Sequence, residues 1–101
     1  MIFKRWQAPQ IPTKDQILMI FQSEGLLPQE ETLAANFSSE THRHCFDEVR
    51  MIVSGQLEMD IAGNKLLLRP GDRIEIPSNT THKMQVGAEE QCISIFSQRA
   101  L

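Results

Sequence analysis

Tyrosine is absent from this chain, which excludes any mechanism built on a tyrosyl acid, radical or crosslink. Cysteine occurs only at Cys45 and Cys92. That is too few for a disulfide framework, so a reducing, cytoplasmic setting is expected. Basic residues are not in excess: ten Lys and Arg against thirteen Asp and Glu leave a formal charge of −3. This balance argues against a nucleic-acid partner. The longest apolar run, Ile17 to Phe21, falls far short of the ~20 residues of a membrane span. No apolar stretch follows Lys4 and Arg5, so neither a signal peptide nor a membrane partner is expected.

The 101 residues are 41% hydrophobic and 23% charged. Those values predict one ordered domain rather than a disordered tail. A chain of this size buries roughly 60–70% of its unfolded surface, enough for one core.

The first dozen residues contain Pro9 and Pro12 and read as an extended lead-in with an edge strand near Phe3. A helix is predicted over Thr13 to Glu24. Thr13 and Gln16 form a capping box, Ile17, Leu18, Ile20 and Phe21 an apolar face, and Gly25 and Pro28 the stop. Beyond Pro28 the hydrophobic period changes to two. Leu33, Ala35 and Phe37 alternate with polar residues, as do Leu57, Met59 and Ile61, while Val49, Met51 and Val53 interleave with Glu48, Arg50 and Ile52. These segments are predicted strands, and Ile74–Ile76, His82–Val86 and Cys92–Phe96 complete the set. Ser54-Gly55, Gly63-Asn64 and Arg69-Pro70-Gly71-Asp72 are turn signals. Turns at this spacing predict an all-β sandwich or barrel with one short N-terminal helix.

Three histidines are present, two of them as the pair His42 and His44. On a strand, positions i and i+2 share a face, so both imidazoles are expected to reach one point. Glu48 keeps that parity, and His82 has to arrive from a separate strand. Three imidazoles and a carboxylate suit a divalent transition metal. Asp47 has the opposite parity and is expected outside the barrel. Cys45 is expected to point away from the metal, Cys92 to sit in the core, and Met84 shares the parity of His82. Trp6 either covers a barrel mouth or packs on the helix. Arg50 is read in two ways, as a buried ion pair with a nearby acid or as a guanidinium that grips a substrate anion. Amidohydrolase-type His-x-His sites need barrels of ~250 residues, and binuclear hydrolases need more histidines than this chain has.

The spacing is more specific than the composition. His42-Arg43-His44 is followed by three residues, Glu48, six residues and Gly55; later come Gly71, five residues, Pro77 and, five positions on, His82. This resembles the two motifs of the cupin superfamily over about residues 31–97. The resemblance implies a double-stranded β-helix, or jelly-roll barrel, within a single domain over 1–101, with residues 1–30 as a helix-bearing extension. It also implies a metal held by His42, His44, Glu48 and His82. Cupins often carry Gly six residues before the first His and two after the motif-2 Pro. Here those positions are Asn36 and Asn79, and Asn tolerates the left-handed region. The Asn expected four residues past the last His is Val86. The stretch HRHCFDEVRMIVSG further resembles the first motif of acireductone dioxygenases, in which an Arg two residues after the Glu faces the substrate; Arg50 occupies that position.

The resemblance implies one divalent transition metal (Fe, Mn, Ni, Zn, Co or Cu) and a small-molecule ligand. The leading expectation is a metal-dependent dioxygenase acting on a small anionic or enediol-like substrate. The alternatives are a metal-dependent isomerase or lyase of a sugar or keto acid, and a non-catalytic ligand-binding or sensory cupin. A homodimer is expected, because the N-terminal strand edge and the apolar helix need cover.

Overall fold

The computed structural model describes residues 1–99; the last two positions of the expected domain lie outside the described residues. The chain runs β1 (Ile2–Lys4), α1 (Lys14–Ser23), β2 (Gln29–Leu33), β3 (Asp47–Ser54), β4 (Leu57–Ile61), β5 (Asn64–Leu68), β6 (Arg73–Ile76), β7 (His82–Gln85) and β8 (Cys92–Arg99). Two antiparallel sheets form, in the orders β1-β6-β3-β8-β2 and β5-β4-β7. Their facing sides enclose a core that includes Leu33, Ile52, Leu57, Met59, Leu68, Ile74, Met84, Val86 and Cys92. This is the expected all-β barrel with one short helix.

Strand β3 lies at the centre of the larger sheet, and its residues from Glu48 to Ile52 are buried on both faces. Alternation divides them. Val49 and Met51 face outward and pack with Ile17, Phe21, Leu26 and Ile95 beneath α1. Glu48, Arg50 and Ile52 face the barrel, and their polarity falls along the strand. The polar end of this stripe defines the mouth of interest; the apolar end closes the floor.

The helix begins as the capping box predicts. The Thr13 hydroxyl accepts from the Gln16 backbone N–H, and the Gln16 side chain accepts from the Thr13 N–H. It stops at Glu24, with Gly25 in the left-handed region as expected. Arg73 on β6 clamps this end through a bidentate pair with Glu24, at 2.6 Å for both contacts.

The lead-in strand is anchored by Asp72, which is 1% exposed. Its carboxylate accepts from the Trp6 and Arg69 backbone N–H groups and from the Arg5 guanidinium. Trp6 resolves its two readings in favour of packing. Its ring lies against the β5–β6 turn, where a Cβ on Gly71 would come within 2.7 Å of it, and it shares a groove with Gln16 and Ile20 of α1.

Two sequence expectations change. Strand β5 was not foreseen, because Asn64–Leu68 lacks alternation: its run Leu66-Leu67-Leu68 is apolar at consecutive positions. The predicted strand through Leu33, Ala35 and Phe37 ends at Leu33, and the chain turns at Asn36, whose φ is +68°.

Gly55 combines φ +76° with a backbone approach that no side chain can share, since a Cβ there would collide with the Gln91 carbonyl oxygen. Gly25 has φ +73° but open space around it. The left-handed penalty for an L-residue is about 1–2 kcal/mol. Gly25→Ala should therefore lower unfolding free energy by about that amount, and Gly55→Ala by clearly more. Equal losses in urea denaturation would contradict this assignment of the Gly55 contact.

Candidate metal centre

The three histidines are brought together by backbone pairing rather than by a shared strand. After the turn at Asn36, residues 36–42 run antiparallel along β7. Their bonds include Asn36 N–H to the Gly87 carbonyl, Val86 N–H to the Phe37 carbonyl and Ser39 N–H to the Met84 carbonyl, at 2.8–2.9 Å. The path ends with His42 and His82 exchanging both N–H···O bonds, at 2.9 and 2.8 Å. Directly opposed residues point to the same face, and the two ring centroids stand 4.3 Å apart. His44 follows two residues on, with its carbonyl accepting from the Asn79 N–H at 2.6 Å. Asn79 takes up φ +60° there. Both asparagines at the positions where cupins often carry glycine thus adopt the left-handed backbone. The expectation that His42 and His44 converge by strand parity is corrected: neither lies within a strand of the sheets, and only His42 makes a bridge.

The potential ligand atoms of His42, His44 and His82 all lie within 4.8 Å of one another. Adjacent nitrogens on one ion at about 2.1 Å stand about 3.0–3.4 Å apart, so the three rings gather round one point and would close by up to roughly 1–2 Å on an ion. Their tautomers suit the task. Nδ1 of His42 lies 2.8 Å from the Glu40 carbonyl oxygen, and Nδ1 of His82 lies 2.9 Å from that of Thr80. A carbonyl only accepts, so in the neutral form of each ring Nδ1 carries the proton and Nε2 keeps the free lone pair. His82 is 2% exposed. Burial, aided by the neighbouring His42 and His44, lowers its pKa below 6.5, against the opposing effects of Thr80 and Glu48.

Glu48 stands beside this cluster. Its Oε1 is 3.7 Å from His44 Nε2, and its Oε2 accepts from Arg50 Nε at 3.1 Å. Arg50 is itself buried, and its Nη1 donates to Glu31 Oε1 and Ser94 Oγ, each at 2.7 Å. The ion-pair reading of Arg50 therefore describes its contacts. Glu31 and Ser94 were not singled out in the sequence. Their signal was slight: a charge and a hydroxyl at inward positions of strands β2 and β8.

The rival residues fall elsewhere. Asp47 accepts from the Ser78 N–H at 2.8 Å and braces the loop before β7. Cys45 is exposed, and Cys92 is buried, with its thiol pushed up to about 11 by burial. Met84 belongs to the barrel core.

Residues 29–96 match the family model described as Cupin domain. Among curated proteins, the acireductone dioxygenase of Alcanivorax borkumensis is 29% identical over 119 aligned positions, covering 92% of this chain and 66% of that protein. The acireductone dioxygenase of Bacillus licheniformis is 37% identical over 73 positions, covering 67% of this chain and 40% of that protein. The chain thus spans less than two thirds of the length of these relatives. Among solved structures, a DMSP lyase of Ruegeria pomeroyi superposes with TM-score 0.68 at 22% identity, over 74% of this chain and 38% of the other. A cupin protein of Bacteroides fragilis gives 0.65 at 18% identity, over 97% of this chain and 84% of the other. At these identities the structural likeness concerns the fold. With a family match running from the start of β2 into β8, on a barrel whose mouth carries three converging imidazoles, this chain belongs to the cupin family and resembles acireductone dioxygenases in sequence.

Proposed function

We propose that this cupin is a metal-dependent oxidoreductase of dioxygenase type acting on a small anionic, enediol-like substrate. The observation that carries the reading is the convergence of three imidazoles, two with Nδ1 tied to a carbonyl, beside the buried Glu48–Arg50 pair. The names of the relatives support the reaction type. In this proposal His42, His44, Glu48 and His82 hold one divalent transition ion. Such an ion supplies Lewis acidity and, when redox-active, one-electron chemistry toward dioxygen.

The chain's own residues bias what enters. Three neutral imidazoles and one carboxylate around a doubly charged ion leave a local charge near +1, which favours an anion. Arg50 stands in the wall as the residue that steadies that anion, its charge offset in part by Glu31 at 2.7 Å. Ile61, paired with His82, and Ile76, paired with Glu48, put core hydrocarbon beside the ligands. An apolar wall lowers the local dielectric and strengthens these attractions.

Three measurements bear on the reading. Elemental analysis of purified protein should find about one equivalent of a divalent transition metal, with strong losses in His44→Ala, His82→Ala and Glu48→Gln. Unchanged metal content in these variants would reject the ligand set. In the metal-free protein, the His82 ring should titrate below 6.5 by proton NMR. The unfolded chain then binds that proton more tightly. The His82 contribution to stability is therefore complete above about pH 6.5 and is lost as pH falls toward the folded-state value. A midpoint at or above 6.5 would contradict the burial argument. Finally, Fe- and Ni-loaded protein should consume oxygen with acidic enediols; no uptake with any metal or enediol would refute the dioxygenase assignment.

A further inference from the structure

A ladder of side chains crosses the barrel interior from the edge strand to Glu48. Glu31 on β2 is the register partner of Ser94 on β8, and Phe96 on β8 is the partner of Arg50 on β3. Nη1 of Arg50 donates to both Glu31 and Ser94, Nε donates to Glu48, and the guanidinium carbon sits 4.8 Å from the Phe96 ring centroid. Arg50 is 2% exposed and Ser94 fully buried, while the Glu31 side chain is 34% exposed.

An isolated guanidinium beside a carboxylate prefers the two-pronged fork, in which both oxygens are bound. That arrangement would turn both oxygens of Glu48 toward Arg50. Here Nη1 is held by Glu31 and Ser94, which fixes the plane of the guanidinium, and Nε meets Glu48 at Oε2 only, with no contact from Nη2 to close the fork. Oε1 is left on the side of His44. We propose that Glu31 and Ser94 are positioning residues that act through Arg50 to hold Glu48 with one oxygen bound and the other presented to the imidazoles. This inference rests on the metal-centre reading above.

The test is Co(II) titration of the full chain, reading both the dissociation constant and the visible absorption of the bound ion. Glu31→Ala releases the guanidinium to swing until Nη2 joins Nε on Glu48, and it is expected to weaken Co(II) binding roughly tenfold, the range seen when a partner of a metal ligand is removed, and to shift the absorption bands. Glu31→Gln keeps an acceptor oxygen for Nη1, and it should stay within about threefold of wild type with an unshifted spectrum. Arg50→Lys keeps the charge but loses the divided contacts, and it should behave like Glu31→Ala. Equal losses in the Gln and Ala variants with unshifted spectra would reduce Glu31 to a charge effect and overturn the proposal, as would wild-type behaviour of Glu31→Ala. Should Glu31→Ala fail to fold, Ser94→Ala conserves every charge, and an unshifted spectrum there overturns the proposal equally. Wild-type protein that takes up no Co(II) removes the metal centre itself; wild-type protein that loads beside unaffected variants removes only the ladder.

Discussion

The exchange of two backbone hydrogen bonds between His42 and His82 is the constraint on which the mouth of this barrel depends. Residues 34–46 lack a regular strand, yet their peptide groups on the barrel side still pair. They do so along β7, step by step from Gly87 back to His82. Once that register is set, the opposed imidazoles have no freedom to face different sides. Two asparagines in the left-handed region, Asn36 and Asn79, make the bends that deliver the segment to β7 and bring the chain back toward β7 after β6.

The interior of the larger sheet explains why polar residues survive inside so small a barrel. Glu48, Arg50, Ser94 and Glu31 form one connected set, so each buried charge meets an opposite charge or a hydrogen-bond partner. A buried ionic group is tolerated under that condition and is strongly destabilising without it. Two residues along β3 the same face becomes Ile52, which belongs to a core of Ile, Leu and Met. The site is thus a polar layer resting on a hydrocarbon plug.

Much of this was legible in the sequence. The helix with its capping box, the strands β3, β4, β6, β7 and β8 and the outward position of Asp47 follow from periodicity and turn chemistry, and the convergence of three histidines from the motif spacing that resembles cupins. The route by which His42 and His44 arrive was not legible, because it depends on pairing with a strand some forty positions away. Alternation cannot distinguish a strand from an irregular segment lying beside one. Strand β5 was hidden by an unalternating Leu run. The contacts of Arg50 escaped for a different reason: Glu31 and Ser94 lie on strands β2 and β8, and nothing in their local sequence links them to position 50.

Cys92 lies on β8 six residues before Gln98, the register partner of Glu48. At about 3.3 Å per residue the two ends of that strand segment are separated by roughly 20 Å. The thiol is buried and stays protonated at neutral pH, because its pKa is raised to about 11. An oxidant admitted at the histidine end therefore meets no Cys92 thiolate, and that thiol lies dormant at the opposite pole.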